Sequence, residues 1–226
     1  MTTHIEIASL RDQVVLITGA ARAQEDHGRS KIFNAIEVVQ GDRIVAFYDK
    51  MHLVPFGEYL PLSGLLRPLG VQHLVPGTWD VGEGPRRLIA PGLPPAAPLI
   101  CYEAIFSGAA VEEGAARPQW LLNVTNDGWF GKSSGPFQHA VMSRQRCIEN
   151  GISLARCANA GISMLVDQYG RILCKTRLNE RTQLSGNISL SRVATVYSRW
   201  GDWPVILSWG LVAFMAALMA LKKRTS

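Results

Sequence analysis

Apolar positions in this chain fall into short runs of strand length, separated by glycine, proline and charge. "VVLITGA", Val14 to Ala20, reads as a buried strand ending in a glycine turn. From Phe33, "FNAIEVVQGDRIVAFYDK" reads as two strands folded on each other at Gln40 to Asp42. "MHLVPFGEYLPL" leaves the second strand as a loop framed by Pro55 and Pro61, and "SGLLRPLG" fits a short helical turn. Pro76 to Pro98 is rich in proline and glycine and reads as surface chain, with one strand at "RRLIA". "APLICYE" is a short strand that stops at a charge, and "AIFSGAAVEEGAARPQ" is a short helix and loop. "WLLNVTNDGWF" gives another apolar strand and a turn at Asp127–Gly128. In "PFQHAVMSRQRCIENG", Phe137, Val141, Arg144/Gln145 and Ile148 recur at helical spacing, with Gly151 as C-cap. "ISLARCAN" and "GISMLVDQYGRILCKT" read as strands turning at "QYG", and "GNISL" as a last strand. Strands with few helices between them, several apolar on both faces, predict a layered α/β domain.

The end of the chain has a different pattern. Pro204 to Leu221, "PVILSWGLVAFMAALMAL", is 18 residues without a charge, at the short end of what crosses a bilayer. Trp200, Trp203 and Trp209 stand at or near its start and Lys222, Lys223 and Arg224 follow it. A buried core helix is the rival reading, although such helices seldom reach this length without a polar face. The sequence thus divides into a domain over 1–198, a transmembrane helix over 204–221 and a basic cytoplasmic tail over 222–226. Basic residues mark the cytoplasmic side, which places the domain on the other side of the membrane. The N-terminal "MTTHIEIASLRDQ" has no apolar segment to carry it there, so a membrane part upstream of this sequence is expected.

Composition narrows the chemistry. A chain of 226 residues, 47% hydrophobic, is long enough for one domain with a real core and too apolar to be disordered. Its net charge of +5 is not gathered into a dense block within the domain, so nucleic acid is not a predicted partner. The four cysteines form no CxxC and have no histidine at ligand spacing, which predicts neither a metal site nor a disulfide framework. Cys147, Cys157 and Cys174 read as packing, and His139 as structural or hydrogen-bonded. No GxSxG, HExxH or P-loop occurs, and "ITGAARAQ" lacks the third glycine of a dinucleotide turn, so no cofactor is predicted. Polar residues at strand ends remain: Lys50, Cys101 and, in a proline-framed loop, Glu58. A thiolate beside a lysine is a useful nucleophile. Solvated strand ends and a packed cysteine are the plainer alternative. Asn126, Asp127 and Trp129 fit a tight turn.

"YDKMHLVPFGEYLPL", "ICYEAIF", "NVTNDGWFG", "QHAVMSRQRCIENG" and "RCANAGISMLVDQYGRI", in that order, resemble the nitrilase-like carbon–nitrogen hydrolase superfamily, and within it the bacterial apolipoprotein N-acyltransferase branch. The resemblance implies an α-β-β-α sandwich followed by one transmembrane helix. It implies transfer of an acyl chain from a phospholipid donor, through a cysteine thioester, to the N-terminal diacylglyceryl-cysteine of a lipoprotein acceptor. The implied setting is the bacterial inner membrane, with the main domain periplasmic and the protein a monomer. Lys50 and Cys101 match the family's lysine and cysteine, and Glu58 a further glutamate near the site. Tyr102 and Glu103 match residues that flank the nucleophile and hold the pocket. The family's catalytic glutamate belongs to an upstream Pro-Glu motif that is absent here, since Glu6 and Glu25 lack that context. The first strands and all but the last membrane helix are missing too, so the sequence reads as the C-terminal part of such an enzyme. A nitrilase-type amidohydrolase of a small amide, or a non-catalytic membrane-anchored remnant, are the alternatives.

Overall fold

The computed structural model describes residues 4–8, 14–66, 68, 79–84, 87–108, 110–111, 117–190 and 192–224. The first sheet is built from β1 (His4–Ala8), β2 (Val14–Asp26), β3 (Arg29–Gln40) and β4 (Arg43–Asp49), paired antiparallel in chain order. The strand starting at Val14 does not end in a glycine turn; it runs on to Asp26. Gly19 instead lies within β2, where a Cβ would sit 3.2 Å from a Val124 methyl of the opposite sheet. The glycine lets the two sheets close on each other. The predicted β3–β4 turn is present, with Gly41 at φ +61°.

The second sheet contains β5 (Ala96–Ile100), β6 (Trp120–Asn126), β7 (Ser153–Asn159), β8 (Met164–Val166) and β9 (Ile172–Lys175). β5, β6 and β7 are parallel, and β8 and β9 return antiparallel. β5 is buried at every position, as parallel strands covered on both faces must be. One face packs on the first sheet: Ile100, Leu122, Val124 and Ala155 meet Val15, Ile17, Ile36, Val38 and Tyr48. On the other face Ala97, Leu99, Leu121 and Leu154 meet α2 (Gly135–Asn150) through Ala140 and Cys147. The described residues thus form sheet, sheet and helix, three of the four layers expected. The C-terminal ends of β5, β6 and β7 open together, the usual location of sites in parallel sheets.

Two readings change. "RRLIA" supplies only a single bridge, Leu88 to Ala96, with Arg86 outside the described residues. "GNISL" is not a strand, though Ile188 and Leu190 still pack on the inter-sheet core. Of "SGLLRPLG", Ser63–Leu66 is helical (α1), while 67 and 69–70 lie outside the described residues, as do 71–78 of the proline-rich stretch and 109 and 112–116 of the loop after it.

Helix α2 buries the face opposite to the one its apolar spacing suggested. Phe137, Val141 and Ile148 are exposed, whereas Pro136, His139, Ala140, Ser143, Arg146, Cys147 and Asn150 are buried. The polar members of that face have partners built for them. Arg156 of β7 and Asp127 form an ion pair at 2.7 Å with both side chains fully buried. Arg156 also donates to Asn123 Oδ1, to Ser143 Oγ at 2.8 Å and to the Ile162 carbonyl at 3.1 Å. Burial pushes the Asp127 carboxyl up, but His139, Arg156 and Thr125 together outweigh it and hold the group below the usual carboxylate range.

At its C-terminus α2 stops on Gly151, at φ +63°, whose N–H donates to the Cys147 carbonyl at 2.7 Å. A short helix, α3 (Val196–Trp200), then leads into α4 (Trp203–Arg224), somewhat longer than its sequence pattern indicated. Trp203–Lys222 has a mean hydropathy of 2.1 and none of it is buried, so it is not a core helix. By length and composition it suffices to cross a membrane.

Two outcomes follow from this packing. Gly151→Ala should lower stability by about 1–3 kcal/mol, because a Cβ would meet the Val193 carbonyl oxygen at a φ that only glycine adopts freely; an unchanged urea midpoint would contradict it. Asp127→Asn should cost about 3–5 kcal/mol at neutral pH, by leaving Arg156 buried without its partner. The sign for acid follows from the lowered carboxyl. Its contribution is complete above the unfolded carboxylate pKa of about 3.9 and is lost as pH falls through the folded value. Urea unfolding over a pH series should therefore show a shallower acid limb in the variant than in the parent.

Candidate active site

β4 ends at Asp49, and the next residue, Lys50, is only 1% exposed. Its backbone is held on both sides: its N–H donates to the Asn34 carbonyl at 2.8 Å, and its carbonyl accepts from the Gly82 N–H at 2.9 Å. Close approach requires glycine at 82, where a Cβ would stand 2.3 Å from the Asp49 carbonyl oxygen. A buried ammonium is costly without a partner. Lys50 Nζ donates to both oxygens of Glu58, at 2.9 and 2.7 Å. Glu58 also accepts from Asn34 Nδ2 at 2.9 Å and from the Val54 N–H at 2.7 Å. The proline-framed loop therefore exists to return a carboxylate to the lysine that precedes it.

Cys101 follows directly on Ile100, the last residue of β5. The strand stops before the cysteine, and Cys101–Ile105 forms a 3-10 turn with Cys101 at φ +49°. A left-handed non-glycine residue costs roughly 1–2 kcal/mol, so something must hold it. Glu103, fully buried, does so from within the turn. One of its oxygens accepts from the Ile100 N–H at 2.8 Å. The other accepts from the Tyr48 hydroxyl and the Met51 N–H, both at 2.9 Å, and from the His52 N–H at 3.1 Å. The cysteine turn is thereby fastened to the chain on either side of Lys50.

Lys50, Glu58, Cys101 and Tyr102 line one cavity of about 730 Å³. Glu103 lies beneath it rather than in its wall. Much of that wall is apolar, with Ile36, Val54, Ile105, Val124, Met142 and Phe130 among its residues. Tyr102 meets Phe106 edge-on at 5.0 Å. A thiol and an ammonium in one largely apolar enclosure are groups that can serve as nucleophile and as oxyanion donor. The other cysteines are less suited. Burial pushes Cys147 up to about 12 and Cys157 up to about 11. Among the described residues, Glu58 is the one glutamate on the cavity wall; Glu25 is exposed in the distal part of β2, and the Glu6 side chain is outside the described set. No group of three or more His, Cys, Asp or Glu side chains gathers among the described residues as a metal would require.

Sequence reasoning did not place the inward side chain of Asp127, nor the partner of the hydrogen-bonded His139. Asp127 was read as a turn former; it does open the 3-10 turn Asp127–Phe130, but its side chain points inward to Arg156 and His139. His139, on the cavity wall, reaches the Cys101 carbonyl. The available signal was the polar row His139, Ser143, Arg146 and Asn150 at helical spacing, which an apolar count passes over.

Comparison with known proteins agrees with this geometry. The family profile described as Carbon-nitrogen hydrolase matches residues 1–197. A curated relative in Rhodopseudomonas palustris, named apolipoprotein N-acyltransferase, is 43% identical over 216 residues, covering 93% of this chain and 40% of that protein. One of the same name in Bradyrhizobium diazoefficiens is 42% identical over 228 residues, covering 98% of this chain and 42% of its own length. The chain thus spans well under half the length of these relatives. In fold it is similar to a carbon-nitrogen hydrolase from Helicobacter pylori, with a TM-score of 0.56 at 19% identity over 80% of this chain and 63% of that one. An amidase of the nitrilase superfamily from Nesterenkonia gives 0.50 at 21% identity, over 74% and 59%. With a cysteine, a lysine and a glutamate brought together where two sheets meet, and a family match along nearly all of its domain, this chain belongs to the carbon–nitrogen hydrolase family.

Proposed function

We propose that this chain carries the acyl-transfer site of an apolipoprotein N-acyltransferase, with a phospholipid as donor and a diacylglyceryl lipoprotein as acceptor. The observation that carries the reading is the joint presence, in one chain so similar to those relatives, of the Lys50–Cys101 cavity and an apolar helix with no burial at all. A soluble amidase has no use for that helix. On this reading 1–198 is the catalytic domain, 204–221 spans the bacterial inner membrane and 222–226 is its cytoplasmic tail, which leaves the domain periplasmic.

The chemistry proceeds in two halves. The Cys101 thiolate attacks the ester carbonyl of the phospholipid, the carbonyl oxygen becomes an oxyanion beside Lys50, and collapse expels the lysophospholipid alkoxide, which takes a proton. The thioester that remains is attacked by the neutral α-amine of the lipoprotein cysteine. A second oxyanion forms, the amine loses a proton, and collapse returns the Cys101 thiolate and the amide. Glu58 holds Lys50 in place rather than moving these protons, because both of its oxygens are occupied by that ammonium. Among the described residues of the cavity wall no second glutamate stands ready as general base, a group worth about 10²–10⁴-fold in rate. Tyr102 and the apolar walls receive the acyl chain, and Glu103 holds the nucleophile turn.

Incubation of the chain in detergent with phospholipid should place one acyl group on Cys101, seen by mass spectrometry, without sustained transfer to a diacyl lipopeptide. Lys50→Met should slow adduct formation by roughly 10²–10³-fold, as for loss of an oxyanion donor. Acyl on Cys147, Cys157 or Cys174 in place of Cys101 would refute the assignment. For topology, a reporter fused after Ser226 should be active in the cytoplasm; activity only in the periplasm would reverse the orientation.

A further inference from the structure

We propose that His139 is a buried imidazolium that positions Cys101, holding the nucleophile's backbone in its left-handed conformation and setting a fixed positive charge on the carbonyl of that residue. The proposal takes Cys101 as nucleophile from the reading above and adds a residue to that site.

The argument is one of donors and acceptors. His139 is 4% exposed and uses both ring nitrogens: Nδ1 is 2.8 Å from Asp127 Oδ1, and Nε2 is 3.0 Å from the Cys101 carbonyl oxygen. A carbonyl oxygen only accepts, and so does a carboxylate. A neutral imidazole has one N–H, so one of the two contacts would set lone pair against lone pair at hydrogen-bond distance. Moving the proton to Asp127 would remove the conflict, but the surroundings of Asp127 oppose it. Its Oδ2 is paired with the Arg156 guanidinium at 2.7 Å, and its Oδ1 already accepts from the Thr125 hydroxyl at 3.1 Å. Arg156 also stands 3.4 Å from His139 Nδ1, too far to serve as the ring's main donor while a carboxylate oxygen lies at 2.8 Å. Both ring nitrogens therefore carry hydrogen.

Local charge supports the assignment. The ionisable groups facing this region come from every surrounding element: Lys50 after β4, Glu58 from the loop, Glu103 from the Cys101 turn, Asp127 after β6, Arg156 from β7, and from α2 Arg146, which donates to the Ile105 carbonyl of the Cys101 turn, with its partner Glu149. Three cations then face four carboxylates, and the imidazolium restores the balance. Phe130 closes the exposed side, its ring 5.8 Å from that of His139.

The position has two effects. A charged donor on the Cys101 carbonyl fixes the peptide that follows the cysteine, and with it the orientation of the strained residue at φ +49°. The same charge rests on the carbonyl of the nucleophile's own residue, so a thiolate formed there has a fixed cation on its backbone. His139 meets no reacting atom; it acts through Cys101.

Neither test requires phospholipid. In the chain labelled with ¹⁵N-histidine, in detergent, both ring nitrogens of His139 should resonate in the protonated range at neutral pH; one protonated and one bare nitrogen would overturn the proposal without any substitution. The second measurement is the pH profile of Cys101 alkylation by iodoacetamide, followed by peptide mass spectrometry. His139→Gln retains an amide donor for the Cys101 carbonyl and removes the charge. Its rate at neutral pH should fall roughly tenfold and its profile should move to higher pH, with circular dichroism as the check on folding. A profile superimposable on the parent's would also overturn the proposal. If Cys101 takes no acyl from phospholipid while both measurements come out as expected, the acyl-transfer reading fails and the role of His139 stands.

Discussion

A carboxylate buried between two sheets is stable there only if donors surround it, and at Glu103 those donors come from both sheets. The Ile100 N–H belongs to the end of β5, while the Tyr48 hydroxyl and the Met51 and His52 N–H groups belong to the end of β4 and the chain beyond it. Removing the carboxylate would orphan donors on each side at about 1–3 kcal/mol apiece. Glu103 thus sets the separation of the two strand ends that carry Lys50 and Cys101. The lysine–glutamate pair, the strained cysteine and the cavity between them all presuppose that spacing.

Much of this was legible in the residues, for definable reasons. The apolar runs within β2, β3 and β5 declared strands, because burial leaves a direct trace in sequence. The hairpin at Gly41 and the cap at Gly151 were readable because positive φ selects glycine. Lys50, Glu58, Cys101 and Tyr102 were found by resemblance, and they share a cavity. Strand-end chemistry alone had pointed to the first three without being able to join them. Less was legible where tertiary contact overrode local pattern. Gly19 reads as a turn until an opposing Val124 explains it as a close approach. "GNISL" has the composition of a strand but does not form one; Ile188 and Leu190 pack on the inter-sheet core, and the Ser189 carbonyl accepts from the Ser153 hydroxyl at 2.7 Å.

Helix α2 is the clearest case of a pattern that misleads. Its apolar row is exposed and its polar row is buried, because Arg156, Asp127, Asn123 and Ser143 form a hydrogen-bonded layer between sheet and helix where oil would ordinarily be. Such a layer tolerates no partial satisfaction, which makes it rigid. Rigidity is what the strained Cys101 turn needs from the layer behind it, and α2 gives two side chains to that layer, His139 and Ser143.

The chain order of the strands bears on how the protein comes into being. The first sheet uses four strands in succession and the second uses the next five, each in spatial order. Each sheet therefore forms from contacts between neighbours in sequence, and only the packing between them closes a long loop. Lys50 is made with the first sheet and Cys101 with the second, so during synthesis the thiol and the ammonium are separate surfaces of separate half-structures. The two side chains share a cavity only once the sheets have docked.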